Sequence, residues 1–384
     1  MPRERGLNNQ HEWLTAKEAA DLLGVRTATI YAYATRGLLG ATARGPGKKA
    51  LYPRHLVETL RKKAAARAGH GAVAAGALRW GEPVLDSSIT QLTVRGPVYR
   101  GKRAIELVEK PYERVAELLW GFEADWSARL PRVTTRGARP SLHAWIDVVV
   151  AQNRTTDWRV MAPALMHRLA CAAGEHEEAA EREESIAGAF ATSLLGRSAT
   201  KQQLRLINAG LILLADHELN PSTFAARVAA SARAPWVDCL ISALGAAAGT
   251  RHASACDDAE RFWRGVLATK QLPSLENPPG FDAGAYPQGD PRAEKLLTML
   301  RPSLNGPTRK RVDEVLEAVD DATGQLPAVD SALALTAAQI GLPIGSATLI
   351  FVLGRVAGWL AHVEEQRESS DPIRPRARFV EPFP

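Results

Sequence analysis

The spacing of apolar residues predicts a mostly α-helical chain. Ala is abundant, Leu and Val recur at three- and four-residue intervals, and residues 112–120 fit an amphipathic helix. Residues 87–100 instead alternate polar with apolar side chains, as short strands do. Aromatic residues make up only 6% of the chain, which is too few for a strand-rich fold.

One apolar run, residues 211–215, stops at three adjacent ionisable residues, Asp216, His217 and Glu218, before an alanine-rich helix. Because burying an unpaired charge is costly, these groups either reach solvent in a cleft or bind something charged. The structural alternative is that Asp216 caps the following helix and His217 is a core histidine with its hydrogen bonds satisfied.

A second apolar run covers residues 347–362 and is interrupted by Arg355. We expect it to be too short to span a bilayer. The polar N-terminus lacks the apolar core of a secretory signal, so we expect a cytoplasmic protein. The cysteines are odd in number and have no CxxC spacing, which favours neither a disulfide framework nor a zinc site; they are Cys171, Cys239 and Cys256.

The first part of the chain predicts two short helices joined by a tight turn. Thr15 precedes an amphipathic stretch, residues 16–23, and Glu18 follows three residues later as in a capping box. Residues 24–25 make the turn, and residues 27–36 form the second helix. This is the helix-turn-helix arrangement, in which the second helix enters the major groove of DNA.

Charge supports that prediction. The chain carries a formal charge of +6, and residues 1–69 hold 13 Lys and Arg against 5 Asp and Glu, so that segment contributes +8 and the rest −2. A basic segment on a nearly neutral body suggests that only this segment meets a polyanion. Residues 62–77, rich in Ala, Gly, Arg and Lys, mark a linker.

The sequence LTAKEAADLLGVRTATIYAYATRGLL resembles the winged helix-turn-helix of the MerR and excisionase type. The resemblance implies a wing at residues 44–49, a closing helix at 54–61 and contact with DNA. The alternative is a solvated basic face without a nucleic-acid partner. The residues implied to contact bases or phosphates are Arg26, Thr27, Thr29, Tyr31, Tyr33, Arg36, Arg44, Lys48 and Lys49.

Everything after the linker resembles the citrate synthase family. The motifs that carry the resemblance occur in the family's order: YRG with IEL, ADHELN with PSTFAAR, GTRHASA, GDPRA, AVDS, FVLGRVAGWLAHVEEQ and IRPRARF. The resemblance implies a mostly α-helical homodimer. The expected domains are a helix-turn-helix domain at 1–68 and a citrate synthase-like domain at 69–384, divided into a large domain (78–252 and 342–384) and a small domain (253–341).

The resemblance also implies residue roles. His252 stabilises the enolate of an acyl-CoA, and Asp330 removes the proton that forms it. His217, Arg292, Arg355 and Arg374 bind oxaloacetate or a related 2-oxo acid, with Arg374 reaching the partner subunit's site. Acyl-CoA is a substrate, and neither a permanently bound cofactor nor a metal is expected.

One departure from the family pattern bears on chemistry. In the frame that ends with GDPRA, Ala283 occupies the position of a second catalytic histidine, which donates a proton as the carbon bond forms. Three functions follow as hypotheses: a condensing enzyme that joins acetyl-CoA or propionyl-CoA to the 2-oxo acid, a metabolite-sensing DNA-binding regulator on a disarmed fold, or a scaffold for dimerisation alone. The retained Asp330 argues against the scaffold.

Overall fold

Two units make up the chain in a computed structural model. One unit comprises Met1–Asp86 with Arg374–Pro384, and the other comprises Ser87–Ile373. The structure describes residues 13–23, 25–35, 39, 43–44, 50–54, 56–57, 85–126, 166, 169, 185–269, 274–281, 285–286 and 288–375.

The smaller unit contains the predicted helix-turn-helix. In its capping box, the Thr15 amide donates to Glu18 Oε2 (2.8 Å) and the Glu18 amide donates to Thr15 Oγ1 (3.3 Å). A three-stranded antiparallel sheet of order β1-β3-β2 packs with the helices around a small core that includes Ile30 and Tyr52. The elements are β1 (Trp13–Thr15), α1 (Ala16–Leu23), α2 (Thr27–Thr35), β2 (Ala43–Arg44) and β3 (Ala50–Pro53).

The larger unit begins with an antiparallel sheet of order β4-β5-β6 and continues as helices, as the alternating and helical patterns predicted. Its strands are β4 (Thr90–Thr93), β5 (Gly96–Tyr99) and β6 (Lys102–Arg103). Its α-helices within the described ranges are α3 (Ala104–Leu107), α4 (Tyr112–Trp120), α5 (Ile186–Leu195), α6 (Lys201–Leu213), α7 (Pro221–Ser231), α8 (Trp236–Ala247), α9 (Ala255–Ala268), α10 (Pro291–Leu300), α11 (Gly306–Thr323), α12 (Val329–Gln339) and α13 (Ser346–Arg367).

Polar caps fix where the helices around the apolar runs begin. Asn220 caps α7 by accepting hydrogen bonds from the Ser222 and Thr223 amides, with Pro221 in the first turn. Asp290 caps α10 in the same way, again followed by a proline. The expected alternative in which Asp216 caps α7 is therefore wrong, because Asn220 does so.

Helix α13 is the central element of the larger unit. It has 22 residues and is long and apolar enough to cross a membrane by length and composition alone, so the expectation that this run is too short was wrong. The apolar part of this helix is completely buried inside the unit, where it packs against α4, α6, α7 and α8. Helix packing therefore accounts for its apolar character.

Two glycines let α13 approach the end of α6 closely. A Cβ on Gly354 would lie 2.7 Å from Leu211 O, and a Cβ on Gly358 would overlap Asp216 Oδ1 and lie 2.5 Å from Ala215 O. These distances are too short for non-bonded atoms, and the nearby carbonyls belong to rigid backbone. The contact therefore requires glycine at both positions.

We expect Gly358→Ala to lower the free energy of unfolding by about 3 kcal/mol, because the new methyl group overpacks a buried helix contact. Chemical denaturation of the purified protein measures this change. Gly265→Ala is the matched control, since that glycine is exposed on α9 and a Cβ added there would meet nothing within 4 Å. It should gain about 0.5–1 kcal/mol from helix propensity. Equal free energies of unfolding for the two variants would show that the close approach of α13 to α6 does not contribute to stability.

Candidate active site

The turn between α6 and α7 places its three ionisable residues in different environments. Asp216 is fully buried, and its Oδ2 accepts the Glu218 amide (3.1 Å) and lies 3.3 Å from His362 Nε2 on α13. Burial favours the neutral carboxyl, but His362 and Arg355 outweigh it and hold the pKa of Asp216 below its ordinary value. Asp216 therefore fixes the turn to α13.

Tyr99, from β5, holds the same turn from the other side. Its hydroxyl donates to the Ile212 carbonyl (3.0 Å) and accepts the Asp216 amide (3.3 Å). Glu218 then adopts a positive φ of 55°, an uncommon conformation that these contacts support. The turn is thus anchored by both a strand and α13, and His217 lies between the anchored residues.

His217 contacts Tyr286, which precedes α10. Its Nε2 lies 2.9 Å from the Tyr286 hydroxyl, and the two rings meet edge to face at 5.7 Å. Burial, followed by the positive charges of Arg292 and Arg355, holds the pKa of His217 well below its ordinary value. The imidazole is therefore neutral at pH 7.

His252 lies in the turn before α9 and contacts the first turn of α7. Its Nε2 is 2.8 Å from Ser222 Oγ, which also accepts the Trp359 indole N–H (3.0 Å) and lies 2.6 Å from Asn220 Oδ1. Burial and then Arg355 lower the pKa of His252 to about 4. Both predicted histidines are thus uncharged while arginine charges act on them.

Arg292 is buried and held by its neighbour. Its Nε and Nη2 donate to Asp290 Oδ1 (3.0 Å) and Oδ2 (2.8 Å), and its guanidinium lies 5.2 Å from the centre of the Tyr286 ring. Asp290 Oδ2 also accepts the Val329 amide (3.0 Å). This carboxylate therefore ties Arg292 to the start of α12, next to Asp330.

Arg355 is only 2% exposed although it lies in the middle of the apolar helix α13. Its Nε donates to the Leu214 carbonyl (2.7 Å), and its guanidinium lies 4.9 Å from the centre of the Phe351 ring. Burial lowers the pKa of Arg355, and the negative charge of Asp216 acts in the opposite direction. An arginine nevertheless stays protonated at physiological pH. Arg355 is thus a fixed cation inside the unit.

Asp330 is the second residue of α12 and is half-buried. Cys256, on α9, donates its S–H to Asp330 Oδ1 at 3.4 Å. Burial raises the pKa of Asp330 above its ordinary value, although Arg292 acts in the opposite direction. A carboxylate with a raised pKa is a better base than one in water.

Two buried arginines connect five of the six predicted condensation residues. The charges of Arg292 and Arg355 act on both His217 and Asp330. The charge of Arg355 also acts on His252. The sixth residue, Arg374, is exposed beyond the end of α13 and belongs to the other unit. Ala283 and its neighbour Asp282 lie outside the described residues.

Sequence reasoning missed three polar residues around the histidines. Asn220 and Ser222 are part of the motifs that carried the resemblance, and their position before an alanine-rich helix could have indicated the cap of α7. The contact of Ser222 with His252 joins residues 30 positions apart, which no local pattern indicates. Tyr286 gave no such signal, because it lies in an irregular segment before α10 whose path no periodicity predicts.

The predicted DNA-contacting residues lie mostly on α2. Arg26 and Thr27 are exposed at its start, Tyr31 is 53% exposed, and Thr29 and Tyr33 are half-buried. Arg44 lies in β2. Three residues fall outside the described part of the chain: Arg36, Lys48 and Lys49.

Two family models match the chain. The citrate synthase C-terminal domain matches residues 147–376, and a helix-turn-helix domain matches residues 13–64. Both matches agree with the resemblances that the sequence motifs carry.

Curated relatives match the larger unit. Citrate synthase 2 of Bacillus subtilis is 32% identical over 214 residues, which cover 51% of this chain and 56% of the relative. The 2-methylcitrate synthase 1 of Corynebacterium glutamicum is 31% identical over 227 residues, covering 54% of this chain and 58% of the relative. The chain thus spans somewhat more than half the length of these relatives.

Solved structures show the same fold. The citrate synthase of Thermotoga maritima superposes with a TM-score of 0.65 and 25% identity over 79% of this chain and 95% of that one. The citrate synthase of Thermoplasma acidophilum, solved as a ternary complex with carboxymethyl coenzyme A and oxaloacetate, gives a TM-score of 0.64 at 22% identity, covering 79% and 95%.

The depressed pKa of His252 predicts a pH dependence of stability. The unfolded chain takes up a proton near pH 6.5, whereas folded His252 does so only near pH 4. The unfolded state therefore binds more protons between these values, and stability falls as the pH drops through this window. Through His252, the free energy of unfolding should fall by about 2 kcal/mol when the pH drops from 7 to 5.

Urea unfolding of the wild type and His252→Gln at both pH values measures this contribution. We expect the variant to lose about 2 kcal/mol less than the wild type on going from pH 7 to pH 5. An identical loss in both proteins would mean that His252 is protonated in the folded state at pH 5.

Proposed function

Because this chain belongs to the citrate synthase family, we propose that it condenses an acyl-CoA, such as acetyl-CoA or propionyl-CoA, with oxaloacetate or a related 2-oxo acid. The observation that carries the proposal is the arrangement of two neutral histidines, two buried arginines and one carboxylate with a raised pKa. The reaction needs no permanently bound cofactor. Acyl-CoA and 2-oxo acids are cytoplasmic metabolites, which is consistent with a cytoplasmic location.

The arginines suit a dicarboxylate. Oxaloacetate is a dianion, and arginine binds carboxylates through its planar fork of N–H donors. Arg292 and Arg355 are already buried and held by Asp290 and by the Leu214 carbonyl, so little side-chain entropy is lost when a ligand arrives. His217, neutral and fixed against Tyr286, orients the 2-oxo group between them.

Asp330 and His252 provide the first chemical step. The hydrogens on the carbon next to a thioester are weakly acidic, so their removal needs a positioned base, and the raised pKa of Asp330 serves this purpose. The enolate oxygen then accepts a hydrogen bond from His252 Nδ1–H. His252 meets the Ser222 hydroxyl through Nε2, 2.8 Å away, which leaves Nδ1 for the enolate oxygen.

The enolate carbon then attacks the ketone carbon of the 2-oxo acid. A carbon–carbon bond forms, the ketone oxygen takes a proton, and water hydrolyses the thioester of the adduct to release CoA. General acid catalysis typically contributes about 10²- to 10⁴-fold, whereas enzymes accelerate reactions about 10⁶-fold or more. Replacement of one proton donor by Ala283 is therefore compatible with turnover.

The complete site is proposed to form in a homodimer. Arg374 lies past the end of α13 and is exposed in the single chain, which is consistent with an arm that extends to another subunit. In this arrangement the Arg374 side chain supplies the third cation for the dicarboxylate of the partner subunit. Two-fold symmetry would also pair the helix-turn-helix units, as half-sites about 34 Å apart on DNA require.

A second function, metabolite-dependent DNA binding, is favoured by one specific observation. The family match at residues 13–64 is to a helix-turn-helix domain, and the predicted recognition helix α2 presents Arg26, Thr27 and Tyr31 at its surface. In this proposal, an acyl-CoA or a dicarboxylate that binds to the larger unit changes the affinity of the dimer for DNA. The regulator uses the same ligand site as the enzyme, with slow turnover or none.

We expect the wild type to release CoA from acetyl-CoA or propionyl-CoA only when oxaloacetate is present. Asp330→Asn should abolish this release and leave the fold intact, because the amide cannot accept the proton. Thiol release with a colorimetric reagent measures both rates. Asp258→Asn is the matched control, because Asp258 is an exposed aspartate on α9.

Ala283→His, assayed in parallel, separates the two functions. Turnover by the wild type that disappears in Asp330→Asn identifies an enzyme. Turnover that requires histidine at position 283 identifies a site that lacks a group needed for catalysis, and this result supports the function as a DNA-binding regulator. Undiminished release by Asp330→Asn would refute the assigned base.

Removal of residues 1–69 should eliminate DNA binding without loss of condensation, because the basic helix-turn-helix unit carries a charge of +8 and the rest of the chain −2. Gel-shift titration against random-sequence DNA at several salt concentrations measures binding. DNA affinity that survives the truncation would exclude this unit as its source.

A further inference from the structure

Tyr286 contacts residues that the proposed reaction assigns to the 2-oxo acid. It is 4% exposed, and its hydroxyl is 2.9 Å from His217 Nε2. Its ring lies beneath the guanidinium of Arg292, 5.2 Å away. Tyr286 therefore contacts two of the four residues assigned to the 2-oxo acid, and it follows Ala283 by three positions in the chain.

We propose that Tyr286 is the acid that protonates the ketone oxygen of the 2-oxo acid as the carbon bond forms, a task that the family gives to the histidine replaced here by Ala283. This inference rests on the proposed condensation. It adds a catalytic residue that neither the sequence motifs nor the family pattern indicated.

The hydrogen-bond arrangement determines which proton is available. His217 is neutral and carries one N–H, and it meets Tyr286 through Nε2. When His217 Nε2–H donates to the phenolic oxygen, the Tyr286 proton is free to point toward a ligand held by Arg292. A neutral imidazole N–H is a far weaker acid than a phenol, so Tyr286 rather than His217 is the donor.

The step balances without another reactant. The electron pair of the enolate forms the new carbon–carbon bond, and the π electrons of the ketone move to its oxygen. The Tyr286 O–H bond breaks, and its proton passes to that oxygen. The phenolate is stabilised by His217 N–H and by the charge of Arg292, and water reprotonates it after the product leaves.

Acidity allows this transfer. Burial raises the pKa of Tyr286 to about 12, against the lowering effect of Arg292. The oxygen of a tertiary alkoxide is still more basic than a phenolate of this kind, so the proton moves toward the product. A donor fixed at this place also stabilises the negative charge as it develops on the oxygen.

Tyr286→Phe tests the proposal, because the substitution removes the hydroxyl and keeps the ring. Two rates are measured for each protein: CoA release with acetyl-CoA and oxaloacetate, and exchange of the acetyl-CoA methyl hydrogens in deuterated water. Malate, which has a hydroxyl where oxaloacetate has a ketone, replaces oxaloacetate in the exchange assay. Exchange reports proton removal by Asp330 alone.

We expect Tyr286→Phe to release CoA about 100-fold more slowly than the wild type and to retain methyl exchange within about threefold. Introducing Ala283→His into this variant should restore much of the release, because the donor returns at its family position. Tyr112→Phe is the matched control, since Tyr112 is a buried tyrosine whose hydroxyl donates to the Leu353 and Gly354 carbonyls on α13. It should leave both rates near those of the wild type.

Three results would overturn the proposal, and they are distinguishable. If the wild type is active and Tyr286→Phe releases CoA at the same rate, Tyr286 is not the acid and the condensation stands. If release and exchange fall together and Ala283→His restores neither, Tyr286 only supports the structure. If the wild type shows no release that depends on oxaloacetate, the proposed condensation fails, and the role of Tyr286 fails with it.

Discussion

The close contact between α13 and the end of α6 is the constraint on which the candidate site depends. Glycines at positions 354 and 358 let the backbones meet, and Asp216 is then buried against His362. The pairing of this buried carboxylate with His362 holds the turn against α13. Because Asp216 faces α13, the adjacent His217 faces Tyr286, and the same helix carries Arg355 and Trp359 to the site.

The electrostatics of the site follow from that packing. Buried arginines remain charged, whereas buried histidines near them lose their protons, so the site combines fixed positive charge with neutral hydrogen-bonding groups. Such a combination suits an anionic ligand whose reaction develops further negative charge on oxygen. In the proposed condensation, that charge develops first on the enolate and then on the former ketone oxygen. The half-buried Asp330, opposed to these cations, is the group suited to take up a proton.

Sequence patterns predicted much of this architecture, and the failures have physical causes. The helix-turn-helix, the short strands within residues 87–100 and the break after α6 were predictable because local periodicity and caps encode each of them. The role of Asp216 was not, since its partner His362 lies 146 residues away. The length of α13 was misjudged because the helix continues past the apolar run into polar residues and ends only at Arg367. Tyr286 was missed because irregular segments have no periodicity.

A crystal structure of the protein with oxaloacetate bound tests the central claim most directly. The expected complex has the two carboxylates against Arg292 and Arg355 and the ketone oxygen within hydrogen-bond distance of the Tyr286 hydroxyl. An oxaloacetate that binds elsewhere, or whose ketone oxygen points away from both Tyr286 and His217, would contradict the assignment of this site to a 2-oxo acid.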